Sequence, residues 1–291
     1  LLSPETLAAL RNLPLAAKTA AEGFLAGQHL SRRRGAGMEF SQYRPYLPGD
    51  DLRRLDWRLA ARSDRYYIRE SEVDTSLVVH LLLDASASMN HRDDNGLTKL
   101  DYARLLLAAL AYLAHNQGDA VALTVLHPAG IQHLSGQSDS RQLPRIFHAL
   151  ENVEAAGRFP GNDALAPLTA RRQRALIICV SDLYEENSEI EQLLTRLRAV
   201  SGEVMVLHTL ARNELDFTHR GSVTFQDLET GHTLQLDADQ QRAAYQQQLQ
   251  EWLRNTAQNA RRHGFDYHEV NTSEPLDRAL REFLRRRQSI N

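Results

Sequence analysis

The spacing of apolar positions changes along the chain, and each change marks an element. Residues 5–29 carry Leu7, Leu10, Leu13, Leu15 and Phe24 at helical spacing, which predicts a helix. From Leu77 onward, short apolar runs alternate with longer amphipathic stretches. Residues 77–83 read as a buried strand, 98–116 as a central helix apolar on nearly every face, and 121–126 as a second strand. Pro128-Ala129-Gly130 turns the chain into a short strand at 131–134. Residues 140–152 and 163–172 have helical spacing, the latter with Asn162 or Asp163 as its cap. Residues 175–180 are continuously apolar, as in a strand covered on both faces. A helix at 190–200 and a strand at 204–210 follow. Val223-Thr224-Phe225 and Thr233-Leu234-Gln235-Leu236 flank Glu229-Thr230-Gly231, which predicts an inserted β-hairpin around a glycine turn. A long Gln-rich amphipathic helix at 239–263, a last strand at 265–270 and a helix at 276–287 complete the chain.

Strands alternating with helices imply an α/β fold: a three-layer αβα, doubly wound, mostly parallel sheet. Residues 74–291 form this domain, with the hairpin inserted at about 221–237. Residues 1–73 contribute the N-terminal helix and an irregular Arg-rich segment packed on the core, with Trp57 as its apolar peg. Between Arg32 and Arg69 stand ten arginines and five acids, Glu39, Asp50, Asp51, Asp56 and Asp64. The interleaved acids favour internal ion pairs, such as Arg53, Arg54 and Arg58 with Asp50, Asp51 and Asp56, over a protein-docking face or a nucleic-acid patch.

The 291 residues are 42% hydrophobic and 24% charged, with a formal charge of -3. That is a globular composition, and it argues against a generic polyanion binder. No apolar run approaches the roughly 18 residues that a membrane span needs, and no secretory signal pattern is visible. Cys179 is the only cysteine. Internal disulfides are excluded, and a reducing cytoplasm is the expected location. His115, His127, His133, His148 and His208 lack zinc-site spacing. The Arg285-Arg286-Arg287 run is expected to form a solvated face on the last helix. No Gly-x-x-x-x-Gly-Lys loop occurs, so the chain is not a P-loop ATPase.

Chemistry concentrates at Asp84-Ala85-Ser86-Ala87-Ser88, directly after the first buried strand. One carboxylate and two hydroxyls on a tight loop are hard oxygen donors, suited to Mg²⁺ or Mn²⁺. Asp182 follows Ser181 at the end of the 175–180 strand. In open α/β sheets, ligands bind beyond the carboxyl ends of strands where connections diverge. If the two strands are neighbours, Asp84 and Asp182 overhang one crevice. A divalent ion left partly unneutralised there seeks an external carboxylate. Asp and Ser also favour strand-exit turns and helix caps without any metal.

Further upstream stand Arg34-Gly35-Ala36-Gly37-Met38-Glu39-Phe40, then Arg44-Pro45-Tyr46-Leu47-Pro48-Gly49-Asp50-Asp51-Leu52-Arg53, then Leu55-Asp56-Trp57 and Ala61-Arg62. This string resembles the signature of the domain-of-unknown-function 58 family, proteins with a von Willebrand factor type A-like domain. Tyr245, Leu249, Gly264-Phe265-Asp266-Tyr267, Pro275-Leu276 and Leu280 fit the same pattern. The resemblance runs from about Gly23 almost to the end, and matches the short soluble form rather than relatives with membrane helices and an extra β-domain. It implies a metal-ion-dependent adhesion site, with Asp84, Ser86 and Ser88 as first motif and Asp182 as last. The middle motif is usually a Thr. Here Pro160-Gly161-Asn162-Asp163 has none, and Asp163 or Asn162 falls in its place. A carboxylate at Asp163 would neutralise the ion more fully. The resemblance also implies a MoxR-type AAA+ ATPase as partner and a role in protein assembly or maturation. The expected function is thus a non-enzymatic protein-binding adaptor with an unknown client. The alternatives are a metal-dependent phosphoester hydrolase, a scaffold whose metal site has degenerated, and a nucleic-acid binder. His91 and Glu185 lie near the motifs, but nothing in the sequence marks either as a general base.

Overall fold

The computed structural model describes residues 2–34, 43–45, 67–69, 77–160, 175–185 and 188–290. The chain forms two compact units, Ala26–Thr75 and Leu1–Leu25 with Ser76–Asn291. Two helices replace the single one expected near the start. Helix α1 (Pro4–Ala9) opens on Ser3, whose hydroxyl accepts the Thr6 N–H, and has Pro4 in its first turn. The chain then breaks at Arg11, which takes a left-handed φ of 47°, before α2 (Leu13–Arg34). Strands β1 (Tyr43–Pro45) and β2 (Tyr67–Arg69) pair antiparallel in the unit of Ala26–Thr75. Trp57 and the proposed ion pairs of the Arg-rich segment lie outside the described residues.

The larger unit contains β3 (Val78–Asp84), α3 (Lys99–Asn116), β4 (Ala120–His127), β5 (Gly130–Gln137) and α4 (Gln142–Glu151). After these come β6 (Ala175–Ser181), α5 (Glu189–Ser201), β7 (Gly202–Leu210) and α6 (Arg212–Asp216). Strands β8 (Ser222–Gln226) and β9 (Thr233–Asp237) form the expected hairpin, followed by α7 (Ala238–Arg262), β10 (Asp266–Asn271) and α8 (Asp277–Ile290). The main sheet has the order β10-β7-β6-β3-β4-β5. Within this sheet only the edge strand β5 runs antiparallel, because the two-residue Pro128-Ala129 turn folds it straight back on β4. This is the doubly wound α/β arrangement the alternation implies.

The two faces of the sheet bury different helices. Val79, Leu81 and Leu83 of β3 pack with α3, α4, α8 and the N-terminal helices. Leu82, with Ile177 and Cys179 of β6, packs on the opposite face with α5 and the end of α7. Helix α3 lies between the sheet and other helices, which is why Ala103, Leu106, Leu107 and Leu110 are wholly buried on several sides. Of the terminal arginines expected to form a solvated face, Arg285 is exposed, whereas Arg286 and Arg287 are partly covered. Arg285 pairs with Glu282, Arg286 with Glu203, and Arg287 makes two bonds, of 2.5 and 2.8 Å, to the fully buried Asp119. The predicted helix at 163–172 and its cap lie outside the described residues.

Candidate functional site

Strands β3 and β6 are parallel neighbours, with Leu83 beside Val180. Their last residues and the loops that follow therefore share one end of the sheet. β3 leads to α3 on one face and β6 leads to α5 on the other, so the connections diverge here, as they do at ligand sites of open sheets.

The loop after β3 is fixed by its backbone. Ala85 N–H donates to the Leu126 carbonyl at 3.0 Å and Ala87 N–H to the Gly157 carbonyl at 2.8 Å. Gly157 has φ 60°, and a Cβ there would meet Pro128 Cγ at 2.8 Å, so only glycine brings that carbonyl so close. Residues Ala87–Asn90 then form a 3₁₀ turn. Ser86 N–H donates to Asp84 Oδ1 at 2.9 Å, and Ser181 Oγ donates to Asp84 Oδ2 at 2.6 Å. The Ser86 and Ser88 hydroxyls lie 3.0 Å apart, and Ser88 Oγ donates to Asp182 Oδ1 at 3.1 Å. Asp84, Ser86, Ser88, Ser181 and Asp182 are all buried.

Four of the five expected site residues thus converge. The fifth, Asp163, and its alternative Asn162 lie outside the described residues. Burial first, and then the nearby Asp182 charge, push the Asp84 carboxyl up to about 6 against the hydrogen bonds from Ser181 and Ser86.

Sequence reasoning missed three charged side chains here. Lys99 is buried, with Nζ 3.0 Å from Asp182 Oδ2 and 2.7 Å from Glu214 Oε1. Burial opposes its charge, but Asp182 and Glu214 outweigh burial and raise its pKa above the usual lysine value. A signal was present: Lys99 begins a helix whose faces are nearly all apolar, at the end where the dipole disfavours a cation. Glu214 is positioned by α6, where its other oxygen accepts the Ala211 N–H at 3.0 Å. Glu229 arrives from the β8–β9 turn. Burial first, and then the Asp182 and Asp84 charges, raise its carboxyl to about 7. Its Oε1 is buried with no hydrogen-bond partner.

The donor set suits a hard divalent ion. In an octahedral site with bonds of roughly 2.0–2.1 Å, adjacent oxygens lie about 2.9 Å apart. The spacings Ser86 Oγ–Ser88 Oγ and Ser88 Oγ–Asp182 Oδ1 are close to that edge. Lys99 takes the far oxygen of Asp182 and leaves Oδ1 facing the serines. The described residues hold no cluster of three His, Cys, Asp or Glu in metal-binding arrangement, so any such ion would rest on hydroxyls as well as carboxylates.

A cavity of about 500 Å³ opens beside these groups, lined among others by Ser88, Lys99, Asp182, Leu228, Tyr245 and Trp252. His91 Nε2 lies 2.8 Å from Asn213 Oδ1. His208, held down to about 4 by burial, meets the Asp182 carbonyl at 2.9 Å and the Tyr267 hydroxyl at 2.6 Å. No described helix is long and apolar enough to cross a membrane.

An uncharacterized protein of Mycobacterium tuberculosis and one of Mycobacterium bovis are each 27% identical to this chain over 243 residues, 81% of this chain and 75% of theirs. Among solved structures, the conserved hypothetical protein BatB from Bacteroides thetaiotaomicron aligns with a TM-score of 0.45 at 16% identity, over 72% of this chain and 98% of that one. The VWA domain of SpRpn10 aligns with a TM-score of 0.36 at 15% identity, over 70% and 93%. Residues 42–254 match the family described as "Protein of unknown function DUF58". With well over half of its length matched, and the upstream arginine–proline–glycine signature in place, the chain belongs to the DUF58 family.

Proposed function

We propose that this chain is a non-enzymatic, cytoplasmic adaptor that binds an acidic group of a partner protein through Mg²⁺ or Mn²⁺ held by Asp84, Ser86, Ser88 and Asp182. Asp163 is the further ligand, and a MoxR-type AAA+ ATPase is the partner that family resemblance suggests. The observation that carries the reading is the convergence of Asp84, both serine hydroxyls and Asp182 Oδ1 at the carboxyl ends of adjacent strands.

A bound divalent ion supplies an electrophilic seat for an external carboxylate oxygen. The chain's own groups hold that seat rigid. Ser181 and the Ser86 amide fix both oxygens of Asp84. Lys99 fixes Asp182, and Glu214 balances Lys99. The nearby proton carriers are engaged elsewhere, which favours binding over hydrolysis. The Glu185 carboxyl is raised to about 7 by burial, yet it caps α5 by accepting the Ile190 N–H. His91 is tied to Asn213.

The test presents a purified MoxR-type ATPase to immobilised wild type and Asp84→Ala, each with Mg²⁺ or with chelator. Capture is expected only by wild type with Mg²⁺. Identical capture in all four conditions rules out the cation bridge. Turnover of phosphoesters with Mn²⁺ and no partner supports the hydrolase instead.

A further inference from the structure

Tyr245, Leu249 and Trp252 stand at i, i+4 and i+7 of α7, an apolar stripe that neither core cluster absorbs. Along this 25-residue helix the buried residues are Ala238 and Ala260, near its two ends. The stripe instead lines the cavity of about 500 Å³, which falls within the roughly 300–1,000 Å³ of ligand pockets. Tyr184 from the loop after β6 and Leu228 from the β8–β9 turn line it too. Tyr184, Leu228 and Trp252 are 49%, 45% and 39% exposed. Such a convergence of exposed apolar side chains marks an interaction site.

The charges around this cavity do not balance. Asp182, Glu185, Glu214 and Asp227 line it, against Lys99 and His91. Lys99 is already shared between Asp182 and Glu214. Among the described residues neither Asp227 nor Glu185 has a lysine or arginine partner. Even with Glu185 neutral and His91 protonated, three carboxylates face two cations. Carboxylates beside aromatic faces complement a cation carried on an apolar stem. Arginine fits best, because its planar fork pairs with a carboxylate and stacks on an aromatic face at once.

We infer that this cavity receives an arginine side chain of a partner protein, with the guanidinium against the carboxylates and the stem along the Tyr245–Leu249–Trp252 stripe. The inference stands apart from the ion seat, since Asp84 and Ser86 are not among the residues lining the cavity. Ser88 and Asp182 border both. A partner that engages the two together presents an acid to the seat and an arginine beside it.

The test uses the full chain in chelator, so that it reads the cavity whatever becomes of the ion seat. The probe is the blocked tripeptide acetyl-Gly-Arg-Gly amide, with its uncharged citrulline analogue beside it at constant salt. The readout is the Trp252 indole N–H resonance in ¹⁵N-labelled protein, identified as the one lost in Trp252→Phe. The arginine peptide is expected to shift it saturably and to bind at least about tenfold more tightly than the citrulline peptide. Asp227→Asn is expected to weaken binding about tenfold. Gln248→Lys sets a cation in the cavity from an exposed helical position and is expected to abolish the response. Equal binding of the two peptides, a wild-type response in Gln248→Lys, or no shift up to about 10 mM peptide overturns the inference. Tighter binding of free arginine than of the blocked peptide overturns the protein partner.

Discussion

Lys99 decides the electrostatics of the site at the scale of a single side chain. It spans Asp182 and Glu214 inside the fold, so its removal leaves two carboxylates facing each other without a cation. Breaking a buried pair by deleting one partner costs about 3–5 kcal/mol, because the survivor stays buried and uncompensated. Lys99→Met is therefore expected to lower unfolding stability by about that amount, read from the midpoint of urea denaturation at constant slope. The lysine pKa is raised on folding, so this stabilisation is complete below the unfolded lysine value and is lost only in strong alkali. The wild-type to Lys99→Met difference should accordingly stay level from pH 6 to 9. At this scale Asp84, Ser86, Ser88 and Asp182 were legible because each follows an apolar strand whose end the sequence marks. Glu214 and Glu229 were not, since helical or turn residues far apart in the chain show no sign of whom they meet; Lys99 stood out only as a cation at a helix start, with nothing nearby to name its partners.

Elements place these side chains, and caps place the elements. Helix α3 starts at a reciprocal box in which the Thr98 hydroxyl accepts the Asp101 N–H at 3.0 Å and the Asp101 carboxylate accepts the Thr98 N–H at 3.0 Å. That box sets the first turn, and Lys99 is its first residue. Thr98→Ala is expected to cost roughly 0.5–2 kcal/mol, measured by the same denaturation. It should leave Mn²⁺ binding within a few-fold of wild type, because packing along α3 still holds the helix. Strands and long helices were read correctly because their periods of 2 and 3.6 come from local geometry. The short α6 and the 3₁₀ turn at Ala87–Asn90 were missed, since four or five residues show no period. The break at Arg11 was missed for another reason: Leu7, Leu10 and Leu13 keep helical spacing across a left-handed residue.

Across the whole molecule, one carboxylate gathers three of the loops at the carboxyl end of the sheet. Asp93, in the loop between β3 and α3, accepts the Arg212 and Asn213 N–H groups at 3.1 Å each from the start of α6. It also accepts the Thr272 hydroxyl at 2.6 Å and the Ser273 hydroxyl at 2.9 Å beyond β10. Burial opposes this charge, but the hydrogen bonds from the Thr272 and Ser273 hydroxyls and the Arg212 and Asp94 amides outweigh it and hold Asp93 down to about 2. A carboxyl depressed on folding stabilises the native state above its unfolded value of about 3.9, and the contribution fades as pH falls through the folded one. Asp93→Asn is therefore expected to lower stability at pH 7 and to flatten the acid limb between about pH 4 and 2, followed by circular dichroism. An unchanged acid limb would show that Asp93 is not the knot.

By itself the sequence determined the alternation of strand and helix, the inserted hairpin, the parallel sheet and the acid–serine motif at a strand end. Those features follow from local periodicity and from the short reach of a turn. The tertiary structure alone decided which strands are neighbours, and so that Asp84 and Asp182 share one crevice. It also brought Lys99 and Glu229 to that crevice from a helix start and a hairpin tip. Contacts between residues more than eighty positions apart depend on how whole layers pack, and that information is spread over the entire core rather than written near any one residue.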